Sequence, residues 1–133
     1  MNRYLLDTSA YSNFMRGHPR ATSMIDSADW LGLPIIVIGE LDVGFLLGRP
    51  SRLESNRQGL RDFIDNPSVE VIELSRPTGQ IYAEILVSLR RNGKKIPTND
   101  IWIAAAAVQL GVDVLTFDRH FEAIQRVGSV VLD

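Results

Sequence analysis

The chain contains no cysteine. Disulfide bridges, zinc sites built on thiolates and thiol nucleophiles are therefore excluded. No apolar run approaches the roughly 18 residues that a membrane-spanning helix requires. The short apolar stretch near the start meets Asp7 before it reaches the about 7–15 apolar residues of a secretory signal. These absences predict a cytoplasmic protein.

Positive charge and the common phosphate-binding loops are also scarce. The 14 Lys and Arg residues are outnumbered by 16 Asp and Glu residues, which gives a formal net charge of −2. The molecule as a whole therefore does not attract nucleic acid. Neither the P-loop pattern nor the glycine fingerprint of dinucleotide-binding folds occurs in the sequence. Any phosphate chemistry must come from a local site of another kind.

The sequence does have a regular alternation of apolar runs and amphipathic stretches. Its 133 residues, 45% hydrophobic and 23% charged, are typical of one globular domain, which we expect to span residues 1–133. Buried strands are predicted at 4–6, 33–38, 69–74, 112–117 and 130–132, with helices between them. One predicted helix, over 100–110, is buried and ends at Gly111, and a short one covers 118–126. This alternation predicts an α/β fold, a three-layer α/β/α sandwich with a mainly parallel central sheet.

Acidic residues recur at the ends of these predicted strands. Asp7 and Asp118 directly follow strands, Glu40 follows one by a residue, and Asp100 begins a predicted buried helix. Ligands of open α/β sheets bind beyond the carboxyl ends of the strands, so we expect the four side chains to converge. Each acid alone is also explained as a helix cap or a solvated first-turn residue. Together they would repel one another unless a hard cation such as Mg²⁺ or Mn²⁺ neutralised them.

Histidine is limited to His18 and His120. RNA cleavage by attack of the 2′-hydroxyl usually relies on a positioned acid and base, often histidine. His120 follows Asp118 by two residues and could touch a substrate, but a solvated surface histidine is the favoured interpretation. Hydrolysis by a metal-activated water, which leaves a 5′-phosphate and a 3′-hydroxyl, is therefore the favoured chemistry.

Four motifs in this order carry a family resemblance. They are Leu6-Asp7-Thr8-Ser9, Glu40-Leu41 followed by Gly44, Asp100-Ile101-Trp102-Ile103-Ala104-Ala105, and Thr116-Phe117-Asp118-Arg119-His120-Phe121. Together they resemble the PIN-domain nucleases and, more closely, the VapC toxins of toxin–antitoxin pairs. The resemblance runs along the whole chain, although residues 48–69 contain no motif that aligns with the family.

The resemblance implies an endoribonuclease that depends on Mg²⁺ or Mn²⁺ and acts as the toxin of a VapBC-type pair. It assigns the catalytic and metal-binding quartet to Asp7, Glu40, Asp100 and Asp118. It implies an RNA substrate, a VapB-type antitoxin as partner and a homodimer.

The resemblance also gives Ser9 and Thr116 a supporting role. Their hydroxyls would hydrogen-bond a carboxylate of the quartet or a water bound to the metal. Local capping or turn bonding is an equal alternative for both residues.

Two further segments have a functional and a structural interpretation. Lys94 and Lys95 end the one dense basic cluster, residues 90–95, and are predicted to contact RNA phosphates. A solvated helix end whose cations suit the helix dipole is the alternative. Tyr11, Phe14 and Met15 either line an apolar groove for a partner or pack the first helix on the sheet, and packing is preferred.

Two other functions remain open. An aspartyl-phosphate phosphatase of the haloacid dehalogenase type would also place an aspartate after the first strand, where this chain has Asp7. That family has a second aspartate two residues later, and here the position holds Ser9. A PIN-like binding module with a degenerate site is the other alternative, against which the presence of all four acids argues.

Overall fold

Strands and helices alternate along residues 1–133, all of which the computed structural model describes. The strands are β1 (Arg3–Leu6), β2 (Trp30–Pro34), β3 (Val69–Ile72), β4 (Asp113–Thr116) and β5 (Ser129–Val131). The helices are α1 (Thr8–Met15), α2 (Pro19–Asp26), α3 (Ile35–Leu47), α4 (Leu53–Ile64), α5 (Arg76–Arg91) and α6 (Thr98–Leu110). Short 3₁₀ helices cover Pro50–Arg52 and Arg119–Ala123.

The five strands form one sheet in the order β3-β2-β1-β4-β5, and every neighbouring pair is parallel. In this sheet Leu5 of β1 lies between Gly32 of β2 and Val114 of β4. The strand order reverses between β1 and β4. The crevice at such a reversal is where open α/β sheets bind their ligands. The predicted parallel α/β/α architecture is confirmed.

The sheet is covered on both faces. Leu5 and Leu6, which point to opposite faces of β1, are both 0% exposed, as are Val114 and Leu115 of β4. Helix α6 buries a run of small residues, Ala104 to Ala107, together with Ile101 and Ile103. Small side chains allow the helix backbone to approach its neighbours closely. The central strands and α6 therefore form the rigid part on which the strand-end loops are mounted.

The prediction of a strand over 33–38 is wrong for four of its six residues, since only Leu33 and Pro34 lie in a strand. Strand β2 ends at Pro34, and α3 begins at Ile35. Val37 and Leu41, one helical turn apart, are both buried in the core. Their burial, at about 1.5–3 kcal/mol each, outweighs the weak helix propensity of the β-branched residues, which costs under about 1 kcal/mol per residue. As a result Glu40 lies in the second turn of a helix and not just beyond a strand.

The helices are of modest length. The longest, α5, has 16 residues, and none is long and apolar enough to cross a membrane. Gly111 ends α6 as predicted, in the left-handed conformation with φ of 68° that favours glycine. The predicted helix over 118–126 is wrong, because that segment forms only the 3₁₀ helix Arg119–Ala123.

Candidate active site at the carboxyl edge of the sheet

Asp7 is the first residue beyond β1 and caps the amino end of α1. One of its carboxylate oxygens, Oδ1, accepts hydrogen bonds from the Ala10 amide at 2.9 Å and the Ser9 hydroxyl at 2.7 Å. The other oxygen, Oδ2, accepts from the Thr116 hydroxyl at 2.5 Å. The residue is only 4% exposed. Three donors therefore fix the orientation of a buried carboxylate.

The two hydroxyls that hold Asp7 also shape the chain beyond β4. The Thr116 hydroxyl accepts a hydrogen bond from the Asp118 amide at 2.8 Å, and the Ser9 hydroxyl accepts one from the Phe117 amide at 2.9 Å. Thr116 itself is fully buried. The ends of β1 and β4 are thus tied together through side chains, and the position of Asp118 depends on the same contacts as that of Asp7.

Asp100 and Asp118 lie on the open side of this edge. Asp100 is in the first turn of α6, and Asp118 caps the 3₁₀ helix by accepting a hydrogen bond from the His120 amide at 2.9 Å. The His120 ring nitrogen Nδ1 lies 3.0 Å from an oxygen of Asp100 and 3.0 Å from an oxygen of Asp118. One possible ligand atom from each of the three residues lies within 4.8 Å of the others. The structure thus joins two of the predicted acids through a histidine.

Glu40 reaches the site from α3. Its carboxylate accepts a hydrogen bond from the Thr8 hydroxyl at 2.7 Å, which links α3 to the start of α1. Its charge also acts on Asp100. Neither Glu40 nor Asp7 belongs to the group of ligand atoms within 4.8 Å. The four acids therefore share one electrostatic environment, but they do not form one tight ring.

Burial and mutual repulsion perturb two of these acids. Burial raises the pKa of Asp7, hydrogen bonds from Thr116, Ala10 and Ser9 oppose this effect, and the charge of Asp100 adds to it. The pKa of Asp100 is also raised, first by burial and then by the charges of Asp118 and Glu40, against the hydrogen bond with His120.

A nearby cation relieves this kind of conflict by favouring the ionised carboxylates. The donor set at this edge consists of carboxylate oxygens and one imidazole nitrogen. Carboxylates are the preferred ligands of Mg²⁺ and Mn²⁺, and an ionised carboxylate offers about four lone-pair sites. The residues present therefore fit a hard divalent cation.

Sequence reasoning underestimated His120. Its side chain is 45% exposed, as expected of a surface histidine, but it contacts two acids of the predicted quartet. The available signal was the Asp-x-His spacing after a strand, since an aspartate at a turn commonly accepts the amide two residues later and draws that residue towards itself. The contact with Asp100 had no local signal, because Asp100 is on a different helix.

Lys94 and Lys95 lie beyond the end of α5 and are exposed. The Lys94 amide donates to the Leu89 carbonyl at 2.9 Å and so helps to close the helix. Neither ammonium group forms an ion pair with an acid of this chain. Both ammonium groups are accessible to an anion, but neither contacts a residue of the acidic site.

Comparison with known proteins gives consistent matches. The family described as "PIN domain" matches residues 4–127. Ribonuclease VapC5 of Mycobacterium tuberculosis is 25% identical over 126 residues, covering 95% of this chain and 90% of that protein. Ribonuclease VapC4 of the same organism is 28% identical over 104 residues, 78% of each chain. VapBC2 from Rickettsia felis, solved bound to a DNA fragment from its promoter, superposes with a TM-score of 0.86 at 23% identity, covering 98% of this chain and 99% of that one.

The family match covers nearly the whole chain and includes all four motifs that carried the resemblance in the sequence. The structural match reproduces the parallel sheet on which the acidic edge is built. The chain belongs to the PIN domain family.

Proposed function

We propose that the chain is an endoribonuclease that uses a divalent cation, Mg²⁺ or Mn²⁺, and acts as the toxin of a VapBC-type toxin–antitoxin pair. The observation that carries the proposal is the placement of Asp7, Asp100 and Asp118 at the reversal point between β1 and β4. Burial and neighbouring carboxylates raise the pKa of Asp100 there. The relatives named as VapC ribonucleases support the choice of RNA as substrate.

Four acids and one histidine are available to the cation. Asp100 and Asp118 would hold it directly, and Asp7 and Glu40 would complete the negative charge around it. When bound, such a cation supplies an activated water and offsets the charge of the phosphate. Lone pairs remain on the Asp7 carboxylate for this purpose, because its Oδ2 accepts only the Thr116 hydroxyl.

The chain's own residues set the geometry for this chemistry. The hydrogen bonds from Ser9, Ala10 and Thr116 prevent Asp7 from rotating. Ionised carboxylates only accept hydrogen bonds, so the Nδ1 atom of His120 holds its hydrogen between Asp100 and Asp118 and aligns both. Hydrolysis forms a bond between phosphorus and the oxygen of water and breaks the bond between phosphorus and the 3′ oxygen. The 3′ oxygen takes up a proton of that water and leaves as a hydroxyl, while the phosphate stays on the 5′ side.

The proposal is tested by sequencing the ends of RNA cut by the purified protein. We expect cleavage with Mn²⁺ or Mg²⁺, none in excess chelator, and products with 5′-phosphate and 3′-hydroxyl ends. Products with 2′,3′-cyclic phosphates, or full cleavage in chelator, contradict the mechanism. The absence of cleavage together with the absence of Mn²⁺ binding favours the degenerate binding module. The phosphatase alternative has no support in the geometry, since the Ser9 hydroxyl is used to hold Asp7.

The proposed binding surface for the antitoxin lies on α1, α3 and α4. A groove of about 310 Å³ there is lined by Tyr11, Met15, Leu41 and Phe45, among others. Tyr11 and Phe14 each pack edge-on against Phe63 of α4, and Tyr11 is buried, so part of α1 packs against the rest of the protein.

The groove is also lined by five polar residues, Ser12, Arg16, Arg52, Ser55 and Asn56. Exposed apolar side chains occur on the same helices. Met15 is 51% exposed, and Leu46 and Leu47 of α3 are 59% and 83% exposed. The buried Tyr11 hydroxyl has no hydrogen-bond partner. An apolar segment of an antitoxin would cover these side chains.

A double variant, Leu46→Glu with Leu47→Glu, tests this surface. We expect it to lose binding to the antitoxin while RNA cleavage stays unchanged, because both leucines lie at the end of α3, about two helical turns beyond Glu40. Gln80→Glu on α5 adds a negative charge to another exposed helix and should keep antitoxin binding. Retained binding by the double variant contradicts the assignment. The proposed pair also includes the toxin as a homodimer. Light scattering of the purified chain tests this, and we expect twice the chain mass of 14.9 kDa.

A further inference from the structure

A second concavity lies between the end of α5 and the segment that follows the 3₁₀ helix. It has a volume of about 310 Å³. Its floor is apolar and consists of the buried side chains of Ile85, Leu89 and Ile124. Its rim is polar and exposed and consists of Ser88, Asn92, Lys94, Gln125 and Arg126. None of these residues belongs to the acidic site.

The size and lining of this cavity fit a nucleobase. Its volume is at the small end of the about 300–1,000 Å³ found for ligand pockets. An apolar floor suits the flat face of a base, while side-chain amides can bond to the base edge. The Asn92 amide nitrogen donates to the Ser88 carbonyl at 3.0 Å, which leaves its oxygen free to accept. The Gln125 amide makes no hydrogen bond within the chain and is free in both roles.

The charges around the cavity place the phosphate at its rim. The carboxyl end of α5 carries partial negative charge, which disfavours an anion inside the cavity. Arg126 is engaged by Glu84 at 2.9 Å, whereas Lys94 is unpaired. Residues 90–95 contain four cationic side chains, and they provide the local positive charge that the molecule as a whole lacks. A base in the cavity with its phosphate at Lys94 satisfies both constraints.

The 3₁₀ helix connects the cavity to the acidic edge. The helix starts directly after Asp118, and its last residue, Ala123, lines the cavity. At about 2 Å per residue the two sites are roughly 10 Å apart along this helix. That distance corresponds to about three nucleotides at the roughly 3.4 Å rise of a stacked strand. An RNA strand cut at the acids can therefore reach the cavity.

We infer that this cavity binds one base of the RNA substrate, a few nucleotides from the bond that is cut, and sets the base preference at that position. The inference rests on the proposed ribonuclease function for its substrate. The binding of a base can nevertheless be measured separately from cleavage.

The first experiment is an NMR titration of the intact, metal-free protein with the four nucleoside 5′-monophosphates. We expect saturable shifts of the Asn92 and Gln125 side-chain amide signals, larger for one base than for the others. Ser88→Leu fills the cavity without changing charge, and Gln125→Leu removes the free amide at nearly constant size. Each should weaken binding of the preferred nucleotide by about tenfold, the size of one lost base contact.

Two matched variants control for general effects of these substitutions. Ser23→Leu changes an exposed serine on α2, and Gln80→Leu changes an exposed glutamine on α5 that does not line the cavity. Both should bind nucleotides like the unchanged protein. The absence of saturable shifts into the millimolar range, or equal binding by Ser88→Leu, overturns the inference. Shifts of the same amides that depend on protein concentration alone also overturn it and assign the face to contact with a second copy.

The second experiment is cleavage of a randomised RNA library, read by sequencing the products. We expect the unchanged protein to show a base preference at one position a few nucleotides from the cut, and Gln125→Leu to lose the preference at that position only. A profile identical to that of the unchanged protein overturns the inference while the ribonuclease function stands. If nothing is cut although nucleotides bind at Asn92 and Gln125, the ribonuclease proposal fails and the base site remains.

Discussion

The two halves of the acidic edge are built differently. On one side, Asp7 is 4% exposed and both of its oxygens are held by donors of the chain. On the other side, the side chains of Asp100, Asp118 and His120 are 17%, 39% and 45% exposed. The His120 ring contacts both carboxylates. The held half is buried, and the open half is partly exposed, with Asp100 the most buried of its three residues.

This difference gives the two halves different roles, one in fixing the position of the site and one in binding and releasing its ligands. A buried carboxylate with three donors keeps its position whether or not a ligand is present, so it supplies a fixed reference for the site. A carboxylate whose only side-chain partner is an exposed histidine can change partners at low cost, as binding and release of cation and RNA require. Substitutions in the open half should therefore act on activity alone, and those in the held half on activity and stability together.

The largest effect is expected from Asp100→Asn in the open half. The substitution removes the charge that interacts with Asp7, Asp118 and Glu40. We expect the cleavage rate to fall by at least about a hundredfold, because contributions of metal to such reactions amount to several kcal/mol. The melting temperature of the metal-free protein should not fall, because repulsion within the cluster is relieved.

Initial cleavage rates and thermal melting measure this prediction together. Asp26→Asn provides the control, since Asp26 is exposed at the end of α2 and away from the site. It should leave both quantities unchanged. Unchanged cleavage in Asp100→Asn would remove Asp100 from the site, and a large loss of melting temperature would show that the open half is structural after all.

The next effect is expected from Thr116→Val in the held half. Valine has nearly the same shape but loses the donor to Asp7 and the acceptor for the Asp118 amide. We expect cleavage to fall by about 10–100-fold, as for other residues that support metal ligands. The free energy of unfolding should also fall by about 1–3 kcal/mol, because a buried hydrogen-bonding partner is lost.

Denaturant unfolding and cleavage rates check the Thr116→Val prediction side by side. Thr22→Val on α2 is a suitable comparison, because the Thr22 hydroxyl makes no hydrogen bond within the chain. A change in cleavage without any change in stability would contradict the distinction between the two halves.

A smaller effect is expected from His120→Ala in the open half. Loss of the hydrogen bond with His120 removes the largest influence that lowers the pKa of Asp100, so that pKa should rise further. Cleavage should fall by about tenfold, within the range for a residue that orients a ligand. Carboxyl NMR titration of the metal-free protein measures the pKa. His18→Ala, at the other histidine, should leave the pKa of Asp100 unchanged, and an equal shift in both variants would refute a specific contact.

The sequence predicted the parts of this architecture that depend on local pattern. The buried run before Asp7 and the glycine after α6 were placed correctly, because strand burial and helix termination act over a few residues. The strand predicted over 33–38 was wrong from Ile35 onward. The β-branched residues there favour a strand locally, but burial of Val37 and Leu41 on one face of α3 stabilises the helix.

The candidate site was predictable in position but not in its internal contacts. Acids at strand ends converge in any parallel sheet, so Asp7 and Asp118 follow from topology alone. The difference in burial between the two halves does not follow from it. It depends on how Ser9 and Thr116 meet across two strands and on the direction from which α6 presents Asp100 to His120. Such contacts between distant elements have no periodic signature in the sequence.

The smallest expected effect concerns the pH dependence of stability and gives the sharpest test of the held half. The pKa of Asp7 is raised above 3.8 in the folded chain. The folded protein therefore holds this proton at pH values where the unfolded chain has lost it, and the free energy of unfolding falls as pH rises through that interval. At pH 7 the full cost of the buried charge is present in the metal-free protein.

Asp7→Asn removes that cost. We expect its melting temperature without metal to exceed that of the unchanged protein by roughly 2–6 °C at pH 7, with the difference shrinking towards pH 4. Asp42 is the control of opposite sign, because its hydrogen bond with Arg57 lowers its pKa. Asp42→Asn should lower the melting temperature at pH 7, and that loss should fade in acid. A lower melting temperature in Asp7→Asn at pH 7 would mean that the three donors stabilise the carboxylate more than burial destabilises it, and the held half would then carry no electrostatic cost for a cation to relieve.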